Sequence, residues 1–131
     1  MEESSFDAAQ AASRAVVDAA IRVHTRLGPG LLESAYEACL SYELRRRGHS
    51  MQRQVEVPLV YDDVHLDVGF RLDILVDKSL VVEVKAVQAL ADIHVAQVIT
   101  YLKLTRRPLG LLLNFNVHRM KDGGIRRITL R

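Results

Sequence analysis

A chain of 131 residues has the length of a single domain, and we expect one domain over residues 1–131 in which residues 1–7 are flexible. With 49% apolar and 26% charged residues, the composition is ordinary for a globular protein, and no apolar run is long enough to span a membrane. The net charge of +2 is uneven: residues 101–131 carry +7, which suits either an anionic polymer or a solvated rim that balances the −5 of residues 1–100.

Two helices are expected at the beginning of the chain. Apolar residues recur at helical spacing from about Ala8 to Leu27, and the GPG that follows ends this helix because glycine and proline both interrupt helical backbone. A second helix is predicted from about Leu31 to Arg47, and Gly48 ends it.

The middle of the chain changes to the alternation that is typical of strands. RQVEVPLVY and VHLDVGFRLDILV are predicted to be strands joined by a DD turn, with a bend at Gly69, and a tight DKS turn leads to the apolar strand LVVEVKA. A third helix covers about Ile93 to Thr105 and ends before Pro108. LGLLLNFN and the closing IRRITLR are then predicted to be strands, the first of them central because it is so apolar.

The order ααβββαββ predicts an α/β fold with a mixed sheet flanked by helices. The third helix connects LVVEVKA to LGLLLNFN, and a right-handed crossover of this kind makes those two strands parallel neighbours. We expect the first two helices on one side of the sheet and the third helix on the other.

Charged residues inside a buried strand are the main chemical signal in the sequence. Glu83 and Lys85 lie in LVVEVKA and point to the same face, because side chains alternate along a strand. If the preceding strand forms a hairpin with it, Asp73 lies nearly opposite Glu83. Two adjacent carboxylates repel and raise each other's pKa, and a divalent cation such as Mg²⁺ neutralises this repulsion. The alternative is a network of ion pairs on a solvated face of the sheet.

This pattern resembles the PD-(D/E)XK nuclease superfamily, and more closely the bacterial and archaeal family named for its GxxExxY motif. GLLESAY contains that motif at Gly30, Glu33 and Tyr36, and the blocks GFRLDILV, VVEVKAV, QVITYLKL and GLLLNFN follow in the family's order. The resemblance covers about residues 16–130. One departure is the leucine that precedes Asp73, where the superfamily's name places a proline.

The resemblance implies a restriction-endonuclease-like fold and Mg²⁺- or Mn²⁺-dependent hydrolysis of phosphodiester bonds in DNA, with RNA less favoured. By their positions in the motifs, the implied metal ligands are Glu33, Asp73 and Glu83, and the implied catalytic residues are Lys85, Gln97 and Tyr101. Lys85 would position the attacking water. Gln97 and Tyr101, which share one helix face, would orient Lys85 or the substrate.

Nucleic acid is the partner that this interpretation implies, with no membrane involved. The expected phosphate contacts are Arg106, Arg107, Arg126 and Arg127. A symmetric homodimer would double the basic surface. The rival functions are a nucleic-acid-binding module that does not cleave and a structural or assembly protein with the same fold.

Other residues are expected to serve the structure only. Tyr36 is interpreted as a packing residue with its hydroxyl bonded, His24 as a core histidine, and Glu33 taken alone could simply cap its helix. Cys39 is expected to be buried, and since it is the one cysteine, the chain fits a reducing cytoplasm. The five histidines show no zinc spacing, and the acidic start MEESSFDAAQ does not resemble a signal peptide.

Overall fold

The computed structural model of the protein describes the backbone of residues 2–130 and the side chains of residues 5–130. Its helices and strands follow the predicted order ααβββαββ, which confirms the fold class. They are α1 (Glu2–Leu27), α2 (Glu33–Arg46), β1 (Met51–Tyr61), β2 (Val64–Val76), β3 (Leu80–Lys85), α3 (Asp92–Thr105), β4 (Leu109–Asn114) and β5 (Ile125–Thr129).

The first helix is longer than its apolar pattern predicts. α1 begins at Glu2 and not near Ala8, because the residues between them include no glycine or proline that would end the helix. Met1 lies outside the described residues, and the flexibility of residues 1–7 stays a prediction. None of the helices within residues 2–130 is both long enough and apolar enough to cross a membrane.

The five strands form one sheet in the order β1-β2-β3-β4-β5. β3 and β4 are parallel, with pairing from Leu80 and Leu109 at one end to Lys85 and Asn114 at the other, while all other neighbours are antiparallel. The predicted crossover through α3 is therefore confirmed, and β4 is an interior, fully buried strand. We call the end of the sheet at Lys85 and Asn114 the carboxyl end.

The helices lie on the two sides of the sheet that the sequence predicts. α1 and α2 bury apolar residues such as Val16 and Leu40 against the face that includes Val82. α3 buries Val98 and Leu102 against the opposite face. The two hydrophobic clusters hold β3 between them, which explains why this strand is almost wholly apolar.

Tyr36 fixes the turn that leads into α2. Its hydroxyl donates a hydrogen bond to the Gly28 carbonyl at 2.6 Å and accepts one from the Leu31 N–H at 3.1 Å. Its buried ring stacks on Phe115, with the ring centroids 4.6 Å apart. The predicted packing role is confirmed, and it also holds Glu33, the first residue of α2, at the carboxyl end of the sheet.

The sequence predicted the burial of His24 correctly but not that of Cys39. His24 is a buried core histidine, as expected, with Nε2 2.7 Å from the Val117 carbonyl oxygen. The expectation of a buried Cys39 was wrong, because its side chain is exposed. α2 directs Tyr36, Leu40 and Leu44 inward, and residue 39 falls on the outer face of that helix.

β1 and β2 extend beyond the rest of the sheet as a two-stranded hairpin. β2 pairs with β3 only over residues 74–76, so residues 55–72 lie beyond that pairing; we call them the arm. The register of the arm shifts between Val57 and Leu59, beside Gly69. A Cβ atom at Gly69 would overlap the Cβ of Leu59, so the close approach of the two strands requires glycine there.

Candidate metal and catalytic site

The two acidic residues predicted to face each other do so at the point where β2 and β3 separate. The regular pairing of these strands ends at Ile74 and Val82. Beyond it, the Asp73 N–H donates a hydrogen bond to Glu83 Oε2 at 2.9 Å, and the Val84 N–H donates one to Asp73 Oδ2 at 2.8 Å. Each carboxyl group therefore replaces a ladder hydrogen bond of the neighbouring strand, which fixes both side chains.

This environment is unfavourable for two negative charges. Burial, followed by the charge of Asp73, raises the pKa of Glu83 to about 8, and only 3% of Glu83 is exposed. Burial also raises the pKa of Asp73, and the charges of Glu37 and Glu33 add to the effect, while the bond from the Val84 N–H and the charge of Lys85 oppose it. The pair is stabilised by either a proton or a cation.

Lys85 and two polar residues of α3, Gln97 and Tyr101, lie next to the Asp73 and Glu83 carboxyl groups. The Lys85 ammonium donates a hydrogen bond to Gln97 Oε1 at 3.2 Å. Burial and the charges of Glu83 and Asp73 raise the pKa of Tyr101, so its hydroxyl is within electrostatic reach of both carboxyls. The Tyr101 ring stacks on Phe70 of β2 with centroids 4.6 Å apart, which anchors α3 beside the arm. The structure thus brings Lys85, Gln97 and Tyr101 close to the acidic pair, and their catalytic roles stay a prediction.

Glu33 reaches the margin of the site from the opposite side of the sheet. Its Oε2 accepts a hydrogen bond from the Ala86 N–H at 3.1 Å, directly after β3 ends. Its charge contributes to the raised pKa of Asp73. Among the side chains of residues 5–130, no three from Asp, Glu, His or Cys converge as a preformed metal site. The structure therefore brings Asp73 and Glu83 together and leaves Glu33 bonded to the backbone beside them.

Three residues near the acidic pair were missed by the sequence analysis. Glu37 is buried one turn after Glu33, and its carboxylate binds Arg53 and Gln54 of β1. The spacing of Glu33 and Glu37 by four residues was an available signal that both lie on one helix face. No comparable signal existed for Arg53 and Gln54, because their position depends on the pairing of β1 with β2 near Asp73.

The arginines predicted to bind nucleic acid lie away from the acidic pair. Arg106 and Arg107 precede β4 and lie at the end of the sheet opposite to Lys85. The paired length of β3 and β4 separates the two ends by about 16 Å. Arg107 is half-buried and donates to the carbonyls of Lys78 and Thr105 at 3.1 and 3.3 Å, and burial lowers its pKa.

Arg126 and Arg127 are exposed neighbours on β5 and point to opposite faces of the sheet. Arg127 bonds Gln10 and lies over the Phe6 ring of α1. The alternate residue Ile128 packs on the α3 side, which places Arg126 on that side too. The four arginines therefore do not form one surface next to the site, and their contact with nucleic acid stays a prediction.

The chemistry of the acidic pair fits a divalent cation. Mg²⁺ typically binds one or two carboxylates and fills its remaining positions with water and substrate oxygens. Asp73 and Glu83 supply two carboxylates whose raised pKa values a cation would lower.

The order of elements, the mixed sheet and a D…ExK site where two strands separate define the restriction-endonuclease-like class of proteins. The family model of the PD-(D/E)XK nuclease superfamily matches residues 10–128, and the chain belongs to that superfamily. No curated protein and no solved structure shows significant similarity to the chain.

Proposed function

We propose that the protein is a metal-dependent nuclease that hydrolyses phosphodiester bonds in DNA, and that within its superfamily it belongs to the GxxExxY family. The observation that carries the proposal is the pair formed by half-buried Asp73 and buried Glu83, in which each carboxyl group accepts a hydrogen bond from the backbone of the neighbouring strand where the two strands diverge. A network of ion pairs does not describe these two groups, because each carboxyl group is hydrogen-bonded to a backbone N–H of the neighbouring strand.

The residues divide into cation ligands and groups that act on the substrate. Asp73 and Glu83 would hold Mg²⁺ or Mn²⁺, with Glu33 as a further ligand through water. A bound cation supplies charge neutralisation at the reacting phosphate. Lys85 holds the attacking water or stabilises the developing negative charge, and its hydrogen bond to Gln97 directs its ammonium group.

Tyr101 would orient the same region of the site. Its ring is fixed against Phe70, and burial, followed by the charges of Glu83 and Asp73, raises the pKa of its hydroxyl, which is therefore protonated at neutral pH. A protonated phenol donates a hydrogen bond, so Tyr101 can bind a phosphate oxygen of the substrate. Because the hydroxyl does not ionise in this environment, we assign Tyr101 to orientation and not to proton abstraction.

The substrate would also be held at a distance from the acidic pair. Arg106, Arg107, Arg126 and Arg127 would contact phosphates of DNA that extends across the molecule, since they lie outside the site itself. Contacts of this kind release counterions and weaken steeply as the salt concentration rises. We place the protein in the cytoplasm, which suits a free cysteine.

We also propose a symmetric homodimer through the apolar face of the arm. Cross-strand pairing places Leu59, Tyr61, Val64 and Leu66 on one face, and 72% of Tyr61 and 47% of Leu66 are exposed. These residues carry no charge, so the face is complementary to itself under a two-fold axis. The acidic residues at the tip of the arm, Asp62 and Asp63, make nucleic acid an unsuitable occupant of this face.

Cleavage of labelled DNA tests the proposed activity directly. Single-stranded, duplex and branched DNA and an RNA strand are incubated with Mg²⁺ or Mn²⁺ and with the wild-type chain, Asp73→Asn or Lys85→Met. We expect cation-dependent cutting that falls at least about 100-fold in each variant, because each removes a group acting on the reacting phosphate. Asp67→Asn and Lys103→Met are matched controls on exposed positions and should cut normally.

The proposal fails if no substrate is cut at any cation concentration, or if Asp73→Asn cuts as fast as the wild-type chain. Absence of cutting together with salt-sensitive binding of DNA would instead support a binding module. Absence of both would support a structural or assembly protein.

A further inference from the structure

Gln54 has an unusual backbone for a residue within a strand. Its φ is +50°, in the left-handed region that side chains other than glycine and asparagine seldom adopt. The pairing of β1 with β2 is regular at Arg53 and at Val55 but omits the pair between Gln54 and Asp73. The strand is therefore interrupted directly opposite a residue of the candidate site.

The side chain of Gln54 connects two carboxylates as a result of this conformation. Its Nε2 donates a hydrogen bond to Glu37 Oε1 at 2.8 Å and lies 3.5 Å from Asp73 Oδ1, which is a long contact. Glu37 is itself held firmly, because Arg53 Nε and Nη2 lie 3.0 and 2.9 Å from its Oε2. Both oxygens of Glu37 are thus engaged, and its side chain is only 7% exposed.

The geometry points to Gln54 as a positioning residue that orients the Asp73 carboxylate for the cation. The connection runs from Glu37 on α2, through the amide of Gln54 on β1, to Asp73 on β2. Glu37 acts as an anchor and not as a ligand, since Arg53 pairs with its Oε2 and Gln54 binds its Oε1. This inference rests on the proposed function, because it assumes that Asp73 binds a cation. Groups of this type tune affinity by fixing the residues that touch the metal.

A purely structural explanation makes the opposite prediction for one variant. If the turn of the backbone were the whole role of Gln54, glycine would serve at least as well, because it adopts positive φ without strain. Gln54→Gly therefore separates the two roles, since it keeps the backbone and removes the amide. Gln54→Asn also tolerates positive φ, but its side chain is one methylene shorter and cannot reach Glu37 and Asp73 together.

The test is the affinity for Mn²⁺ by calorimetry, together with the melting temperature of the metal-free protein. We expect Gln54→Gly to remain folded, since relief of the positive φ offsets part of the lost hydrogen bond to Glu37, and to bind Mn²⁺ about 10- to 100-fold more weakly, with Gln54→Asn also weakened. Gln52→Gly, an exposed and regularly paired position of β1, is the matched control and should lower the melting temperature without changing the affinity.

Unchanged Mn²⁺ affinity in Gln54→Gly would overturn the inference and leave the proposed function intact. Gln54→Asn decides the question in the same way if the glycine variant does not fold. A wild-type chain that binds no Mn²⁺ would overturn the proposed function and this inference with it.

Discussion

Glu83 is the residue whose environment controls the site. It lies in a strand with the apolar clusters on both sides, and it faces a second carboxyl group across the gap between β2 and β3. With a pKa of about 8, it is largely protonated at neutral pH when no cation is bound. A cation favours the carboxylate form, so its binding displaces this proton and strengthens as the pH rises toward 8.

The protonation of Glu83 predicts how stability depends on pH in the metal-free protein. The pKa is raised from its ordinary value of 4.5 on folding, so the folded state binds more protons between about pH 4.5 and pH 8. The contribution of this group to the free energy of unfolding is full below that range and is lost as the pH rises through it.

Glu83→Gln replaces the carboxyl with a neutral group and should remove this dependence. We expect the variant to be more stable than the wild-type chain at pH 8 and above, by a few kcal/mol, with the difference shrinking toward pH 5. Urea unfolding with a chelator present, measured from pH 5 to pH 9, provides the comparison. A difference in stability that stays constant over this range would contradict the account.

Single residues also show where prediction from the sequence ended. The register of Asp73 opposite Glu83 and the contact of Lys85 with Gln97 followed from strand alternation and helix spacing together with the family motif. Gln54 did not, because nothing in its local sequence signals a left-handed residue within a strand, and its contacts with two carboxylates exist only in the folded protein.

Among the elements, the arm is the feature whose sequence and environment disagree most. RQVEVPLVY and VHLDVGF have the alternation of a half-buried sheet, but α3 covers only the part near Phe70, which stacks on Tyr101. The outer part of the same face is exposed. The sequence predicted both strands but could not show that they project beyond β3, since alternation does not report what covers the apolar face.

The arm gives a direct prediction for the state of the protein in solution. Light scattering should show a dimer for the wild-type chain and a monomer for the double variant Tyr61→Ser, Leu66→Ser, because burial of these side chains supplies the free energy of association. Val60→Ser is the matched control, since Val60 is also an exposed apolar residue of the arm but pairs with His65 on the face opposite to Tyr61 and Leu66. A wild-type chain that is monomeric at high concentration, or a double variant that stays dimeric, would rule out this interface.

The type and order of the helices and strands could be predicted from the periodicity of apolar residues, whereas the residues at which they begin and end depend on the surrounding structure. The parallel pairing of β3 with β4 and the sides taken by the helices were confirmed. The start of α1 and the exposure of Cys39 were not predicted correctly, because neither helix extension nor the choice of buried face is fixed by apolar residues alone.

At the scale of the whole molecule, charge is arranged along the direction of β3 and β4. Acidic residues of the site and its margin, Glu33, Asp73 and Glu83, gather near the carboxyl end of the sheet. Arg106 and Arg107 lie at the opposite end. These two arginines of the basic C-terminal segment therefore do not border the site, whereas Arg119 and Lys121 lie in the loop that follows β4 at the carboxyl end. The negative charges of Glu33, Asp73 and Glu83 repel a phosphate backbone, so DNA can approach them only when a cation is bound there. The proposed nuclease activity therefore depends on the cation.

The most direct measurement is the anomalous scattering of Mn²⁺ in crystals of the wild-type chain. We expect a strong peak within coordination distance of both the Asp73 and the Glu83 carboxylates, and no such peak in crystals of Asp73→Asn. A wild-type crystal saturated with Mn²⁺ that shows no peak at this pair, or a peak that persists unchanged in Asp73→Asn, would contradict the claim that these two residues form the metal site.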